Sequence, residues 1–368
     1  MSFESGSIGF RMFYLRGAFG ADATAGFAAA AAPPLRTLGV DLLNGWTGGR
    51  HLLDVPITEK NATCGGYGRL HLIEAQRKIP PALFRARCRM EEIAWMTSES
   101  RDFVPRKVRG EIRDRVQEEL LPDMPPQLRG QQVIVAPDAG WVFSSGLGDR
   151  QADLLRVQFL KACGAELVDV RPATAAAQRR RVDVREWRRV SFAPDVAADA
   201  VNDSPGQDFL TWLWFNAEAR GGRFRSAAGE EYGLAIEGPL VFAMEGEGAH
   251  ETVLRKGSPL LSAEARTCLL SGKKLQRAKL LLARGDQLWS VGLDADAWVF
   301  RGLRLPENEE KILDPVARFQ DRMTGIRLFL DLFFDLFDRF VAEREDPAVW
   351  KKTLHEVFAW AAGRAGRN

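Results

Sequence analysis

From Asp314-Pro315 onward, apolar residues recur at Val316, Phe319, Met323, Ile326, Leu330, Phe333, Phe337 and Phe340, in alternating steps of three and four. That spacing keeps one stripe on one side of an α-helix. Asp314 supplies an N-cap, and Pro315 a first helical residue that needs no amide partner. The pattern therefore predicts a helix of about 30 residues. Phe329, Leu332 and Leu336 widen the stripe beyond that of a two-stranded zipper. Such a helix needs a large apolar surface against it, from its own chain or from a second subunit. Asp346-Pro347 opens a final helix whose Val349, Trp350, Leu354, Val357, Phe358 and Trp360 can fold back on the first.

The remainder of the 368 residues has room for two or three subdomains. Alternation around Phe10, Met12 and Tyr14 suits a strand in 8–19, and a short helix fits 35–44. A second strand follows at 65–74. Pro80-Pro81 and Pro105 each open a helix, and Val108, Ile112, Val116 and Leu120 give the second of these an apolar face. A hairpin is expected around Pro137-Asp138-Ala139-Gly140, then a helix over 149–163 stopped by Gly164, and a strand at 166–171. Phe209, Leu210, Trp212, Leu213, Trp214 and Phe215 make the next run too apolar for water. Strands are expected at 279–283, 287–293 and 296–303. The order reads as an α+β protein of antiparallel sheets with packed helices and a long C-terminal helix. Its expected divisions are 1–172, an Arg-rich insertion or linker at 173–207, 208–312, and 313–368.

Charge is distributed unevenly along a chain whose formal net charge is only +2. Between Arg77 and Arg115 there are eleven Arg or Lys against six acids, and between Arg255 and Arg284 eight against Glu264 alone. From Asp195 to Glu251 the sign reverses, with eleven acids and only Arg220, Arg223 and Arg225. On a helix, Arg106, Arg109 and Arg113 fall within about 60° of one another at roughly 100° per residue. Such a cationic shoulder is either a solvated face or a track for phosphates. The candidate phosphate contacts are Arg77, Lys78, Arg85, Arg89, Arg106, Lys107, Arg109 and Arg113 in the first block and Lys273, Lys274 and Lys279 in the second. A third cluster, Arg179, Arg180, Arg181, Arg185, Arg188 and Arg189 around Trp187, fits either an Arg-rich helix with a buried Trp or another nucleic-acid patch.

Several chemistries find no material here. The four cysteines are scattered without a CxxC pair, and none of the four histidines sits beside a GxSxG or HExxH motif. Gly272-Lys273-Lys274 lacks the upstream glycine and the following helix of a phosphate loop. The acids that a metal-dependent nuclease could use, Asp294 and Asp296 or Glu309 and Glu310, read as turn and surface residues. Neither cofactor, metal nor catalysis is expected. No apolar run reaches the roughly 18 residues of a membrane span, and the stretch from Ala21 to Ala32 lacks the bulky aliphatics of a cleaved signal. A cytoplasmic protein is expected.

Taken together, these residues resemble the recombination-associated protein RdgC family, bacterial proteins that bind DNA. The matching features, in chain order, begin with the strand at Phe10 to Leu15, Gly45-Trp46, Arg77-Lys78-Ile79-Pro80 with the helix through Phe84, and Val104-Pro105-Arg106-Lys107. They continue with the hairpin at Trp141, the run from Asp208 to Trp214, Ser271-Gly272-Lys273-Lys274, and Leu288-Trp289. The resemblance implies a nucleoid-associated, cytoplasmic protein that binds double-stranded DNA with little sequence preference. It further implies a homodimer whose two α+β subunits close a ring with a positively charged hole, and which limits access of the RecA recombinase to DNA. The Arg-rich stretch near 173–206 departs from the shorter members. A DNA-processing nuclease and a protein-binding scaffold without DNA contact are the alternatives.

Overall fold

The computed structural model describes residues 3–17, 19–20, 23–38, 42–188, 190–193, 204–226, 228–244, 250–255, 263–307 and 314–363. Arg189, Lys256, Glu309 and Glu310, with much of the acidic tract at 194–203 and 245–249, lie outside the described residues.

The strands are β1 (Ile8–Arg16), β2 (Leu43–Gly48), β3 (Thr63–Cys64), β4 (Tyr67–Arg77), β5 (Pro126–Ala136), β6 (Trp141–Ser144), β7 (Glu166–Asp169), β8 (Arg223–Arg225), β9 (Glu231–Ala243), β10 (Glu251–Leu254), β11 (Lys274–Arg284), β12 (Gln287–Asp294) and β13 (Val299–Arg304). The helices are α1 (Ala23–Ala29), α2 (Glu59–Ala62), α3 (Pro81–Ser98), α4 (Arg106–Leu120), α5 (Asp149–Cys163), α6 (Pro172–Arg180), α7 (Pro205–Ala219), α8 (Ala263–Leu270), α9 (Pro315–Glu345) and α10 (Pro347–Ala361). The α+β class and the long C-terminal helix agree with the sequence pattern. Of the short helix expected over 35–44 the described residues show only a 3-10 turn at Leu35–Thr37, and β2 begins at Leu43; 39–41 lie outside the described residues. Leu43 and Asn44 belong to the sheet instead, and the next residue, Gly45, lets Ala32 approach β2 where a Cβ would lie 2.4 Å from the Ala32 backbone.

Among the described residues all thirteen strands belong to one antiparallel sheet, ordered β10-β9-β11-β12-β13-β1-β6-β5-β4-β2 along its main path. β1 is its seam. Ile8 and Phe10 pair with β13, while Arg11 to Tyr14 pair with β6. The first and second halves of the chain thus share one sheet.

Alternation along the strands assigns each side chain to a face. One face carries Phe10, Met12, Ile134, Phe143, Leu280, Leu282, Trp289, Val291 and Phe300, all packed in the largest core cluster with α7 and α9. Phe300 stacks on Phe10 at 4.8 Å and meets Phe333 edge-on at 5.1 Å. α9 therefore spans the seam and joins the halves, and the broad stripe finds its apolar partner within its own chain. α7 is buried from Gly206 to Asn216, sandwiched between the sheet, α9 and α10. A Cβ at Gly206 would stand 2.0 Å from the Ala295 carbonyl oxygen, so only glycine permits that approach. On the opposite face of the first half, Phe13, Trp46, Leu70, Leu72, Val133 and Val142 form a second core with α1 and α5.

The helical hairpin α3–α4 joins β4 to β5 and has a third, separate core of Cys88, Val104, Ile112 and Val116, flanked by Phe84, Trp95 and Val108. Among the described residues no helix is long and apolar enough to cross a membrane.

Candidate nucleic-acid interface

The hairpin that carries the first basic block divides its charge by face. At about 100° per residue, Arg85, Arg89 and Glu92 share one shoulder of α3, while Arg106, Arg109 and Arg113 share one shoulder of α4. The two shoulders meet, because Glu92 lies 3.3 Å from Arg89 and 3.3 Å from Arg109. Glu92 thus bridges two of the five arginines on these shoulders. Arg85, Arg106 and Arg113 are exposed and make no ion pair among the described residues. The other shoulder is neutralised. Arg87 reaches Glu91 at 3.6 Å and Glu119 at 3.5 Å, and Arg115 reaches Glu91 at 3.0 Å. Lys107 stands 88% exposed on the outside of α4, 3.9 Å from Glu111. Lys78, just before α3, is exposed as well.

Arg77 has a different role from the one its neighbourhood suggested. Its guanidinium donates to the carbonyls of Leu38 at 3.3 Å, Pro122 at 2.9 Å and Met124. It ties the end of β4 to the segment leaving α4, which fixes the root of the hairpin and leaves little of the side chain for a phosphate.

The second basic block also divides. Lys274 is buried, 2.8 Å from the fully buried Asp208 of α7, and its ammonium donates to Ser204 Oγ at 3.2 Å. As a phosphate contact Lys274 is corrected: it lies inside the protein, where an ammonium needs a carboxylate close by. Asp208, one of the acids counted between Asp195 and Glu251, is therefore enclosed as well. Lys273 donates to Thr252 at 2.7 Å. Lys279 remains on the sheet face turned away from α7 and α9, 2.7 Å from Glu237.

On that same face lie three cations absent from the sequence-derived candidates: Arg277, Arg301 and Arg304. Arg277 and Arg301 share Asp294 at 3.1 and 3.5 Å, and Arg304 is exposed without an ion pair among the described residues. Strand alternation could have grouped Arg277 with Lys279. Arg301 and Arg304 share a face only because the chain turns at Gly302, whose φ is +64°, and three-residue spacing gives no such signal in sequence.

The Arg-rich segment after β7 is anchored to the body at Arg179 and Trp187. Arg179 pairs with Asp338 at 2.6 Å and lies 4.5 Å over the Phe334 ring, and Arg185 pairs with Asp183 at 2.6 Å. Trp187 is buried against Phe340 at 5.8 Å, and its indole nitrogen donates to Glu345. All five described arginines of this cluster are exposed, and Arg180, Arg181 and Arg188 make no ion pair among the described residues.

Of the acids weighed for a nuclease, Asp294 holds two arginines and Asp296 accepts from Gln207 at 3.0 Å. Among the described residues no group of three or more His, Cys, Asp or Glu could hold a metal ion. Burial pushes the thiols of Cys64, Cys88, Cys163 and Cys268 above their ordinary value, which keeps them protonated. No protein-family model matches the chain, and no curated protein matches it.

Proposed function

We propose that the protein is a homodimeric, sequence-independent binder of double-stranded DNA that modulates recombination by limiting RecA access. The observation that carries the reading is the cationic face of the hairpin, Arg85, Arg89, Arg106, Arg109 and Arg113 with Glu92 bridging two of them, beside an opposite face whose charges cancel. Flexible, exposed guanidinium groups in a row contact phosphate without reading bases. The half-exposed Arg277, Lys279, Arg301 and Arg304 extend the same chemistry on the sheet. The ordered resemblance to RdgC supplies the nucleoid setting and the link to recombination.

A second subunit has a place to dock. Leu83, Met90 and Ile93 are 42%, 49% and 49% exposed. Their spacing of seven and three puts them on the side of α3 roughly opposite Phe84, Cys88 and Trp95, hence away from α4. An apolar stripe of this kind on a projecting element is suited to meeting its copy, which closes a ring around the duplex.

The test is a salt titration of duplex binding. With about six phosphates neutralised, log K falls against log[salt] with a slope near −5. Changing Lys78, Arg85, Arg106 and Arg113 together to Ala should flatten that slope by about 3 to 4. An unchanged slope removes the hairpin from the DNA path, and failure of the wild type to retain duplex at low salt favours a protein-binding scaffold. A closed ring further predicts slower loss from circular than from linear duplex. Leu83→Glu with Ile93→Glu should abolish that difference and halve the mass in solution.

A further inference from the structure

One socket is untouched by the DNA reading. The register that opposes Gly68 to Val135 places the β3–β4 turn and the β5–β6 turn at the same end of the sheet. Between these turns and α9 lies a cavity of about 170 Å³, walled by Tyr67, Trp141, Phe143 and Met323. Its walls are held from behind. Tyr67 meets Phe319 edge-on at 5.8 Å, Trp141 packs on Phe143 at 6.2 Å and Phe334 at 5.7 Å, and Gln320 of α9 donates to the Gly65 carbonyl at 3.1 Å.

Asp138 and Arg327 also line the cavity, and both are exposed, which puts them at its mouth. They carry opposite charges, do not pair with each other, and make no ion pair with any other described residue. Asp331, one turn beyond Arg327 on α9, feels Arg327 without an ion pair to it. Size and charge together narrow the ligand. A cavity of about 150 Å³ lined by apolar side chains accommodates one benzene ring, whereas pockets for larger ligands begin near 300 Å³. One ring or branched side chain fills this socket, and a nucleotide does not. At the mouth, an anionic group fits Arg327 and a cationic group fits Asp138.

We propose that this socket binds a free α-amino acid with an apolar side chain of single-ring size. The side chain enters among Tyr67, Trp141, Phe143 and Met323, the carboxylate pairs with Arg327, and the ammonium pairs with Asp138. The site is independent of the DNA-binding face, so its fate does not decide that reading.

Calorimetric titration of the full chain with L-phenylalanine tests it. One saturable site per subunit is expected, with Kd on the order of 0.1–1 mM for a ligand of this size. Arg327→Gln and Asp138→Asn, both at exposed positions, should each weaken binding about tenfold or more with unchanged thermal midpoints, and Trp141→Ala should abolish it. Phenylalanine amide and N-acetylphenylalanine should each bind about tenfold more weakly. Absence of saturable binding up to about ten times the upper Kd overturns the proposal. So does binding indifferent to Arg327→Gln and Asp138→Asn. Equal binding of the two blocked forms assigns the socket to a side chain within a peptide and overturns the free amino acid.

Discussion

In the body of the molecule, Arg11 is 3% exposed against Asp149 at 2.7 Å, and Lys274 is 4% exposed against Asp208 at 2.8 Å. On the α3–α4 hairpin, Arg89 and Arg109 are 64% and 53% exposed and share one carboxylate between them. The residue types are alike, and what differs is the supply of apolar surface around them. Where the body buries a cation it keeps a carboxylate within reach, the fully buried Asp208 beside Lys274 and the 80% exposed Asp149 reaching Arg11 from the surface. The hairpin has four buried residues in its core and keeps its cations in water, where pairing contributes little. A buried cation therefore bears on stability, whereas the exposed cations of the hairpin bear little on it.

The most direct attempt to break that contrast is Asp208→Ala. It strands the Lys274 ammonium in the core and should cost about 3–5 kcal/mol. Replacing both partners, Asp208→Leu with Lys274→Met, should recover most of the loss, because a packed apolar pair replaces a buried ion pair at little cost. Single changes of Arg85, Arg106 or Arg113 to Ala should each stay within about 0.5 kcal/mol when all these variants are compared by urea titration. Comparable losses at the two places would end the comparison.

Arg77 sharpens the boundary between the regions. In sequence it opens the basic block, yet in the fold it serves three carbonyls at the hairpin root. Arg77→Ala should cost about 1–2 kcal/mol of stability and leave the salt slope of DNA binding as it was. A slope reduced as much as that of Arg106→Ala would return Arg77 to the phosphate path.

This boundary also marks what the sequence made legible. α9 was readable almost residue by residue, because its stripe packs on a broad surface and a helix of 31 residues repeats the signal many times. α3, α4, α5, the β5–β6 hairpin and the β11–β12–β13 meander followed from proline, glycine and alternation. Pairing of β1 with β13 was not readable, since it joins Ile8 to Leu303 and no local pattern carries so distant a contact. The same limit governs the candidate site. Clusters of charge are visible in sequence, but which of Lys273, Lys274 and Lys279 is enclosed depends on Asp208 arriving from α7.

Within the hairpin, the neutral shoulder provides a finer comparison. Arg87→Ala with Arg115→Ala removes as much positive charge as Arg85→Ala with Arg113→Ala, but it breaks ion pairs to Glu91 and Glu119. The first pair should lower stability by no more than about 1 kcal/mol and change the salt slope little, because the freed carboxylates repel phosphate from a face turned away from it. The second pair should leave stability unchanged and flatten the slope by about 2. Equal flattening by both pairs would mean that net charge acts without regard to face.

The smallest expected effect concerns His71 on β4. Burial pushes its imidazole below the ordinary 6.5, outweighing the hydrogen bond between Nδ1 and the Gly48 carbonyl at 3.0 Å. The ring is therefore neutral in the fold, with Nδ1–H donating, whereas the unfolded chain takes up a proton as pH drops through 6.5. A depressed imidazole contributes stability that is fully present above that value and is lost as pH falls toward the folded pKa. His71→Gln keeps an amide donor for Gly48 and cannot titrate. Between about pH 7.5 and about pH 5.5 the wild type should thus lose more of its thermal midpoint than this variant. Equal losses would place the acid sensitivity elsewhere in the body, with the carboxylate of Asp149, held below its usual range by the buried Arg11, as the group to change next.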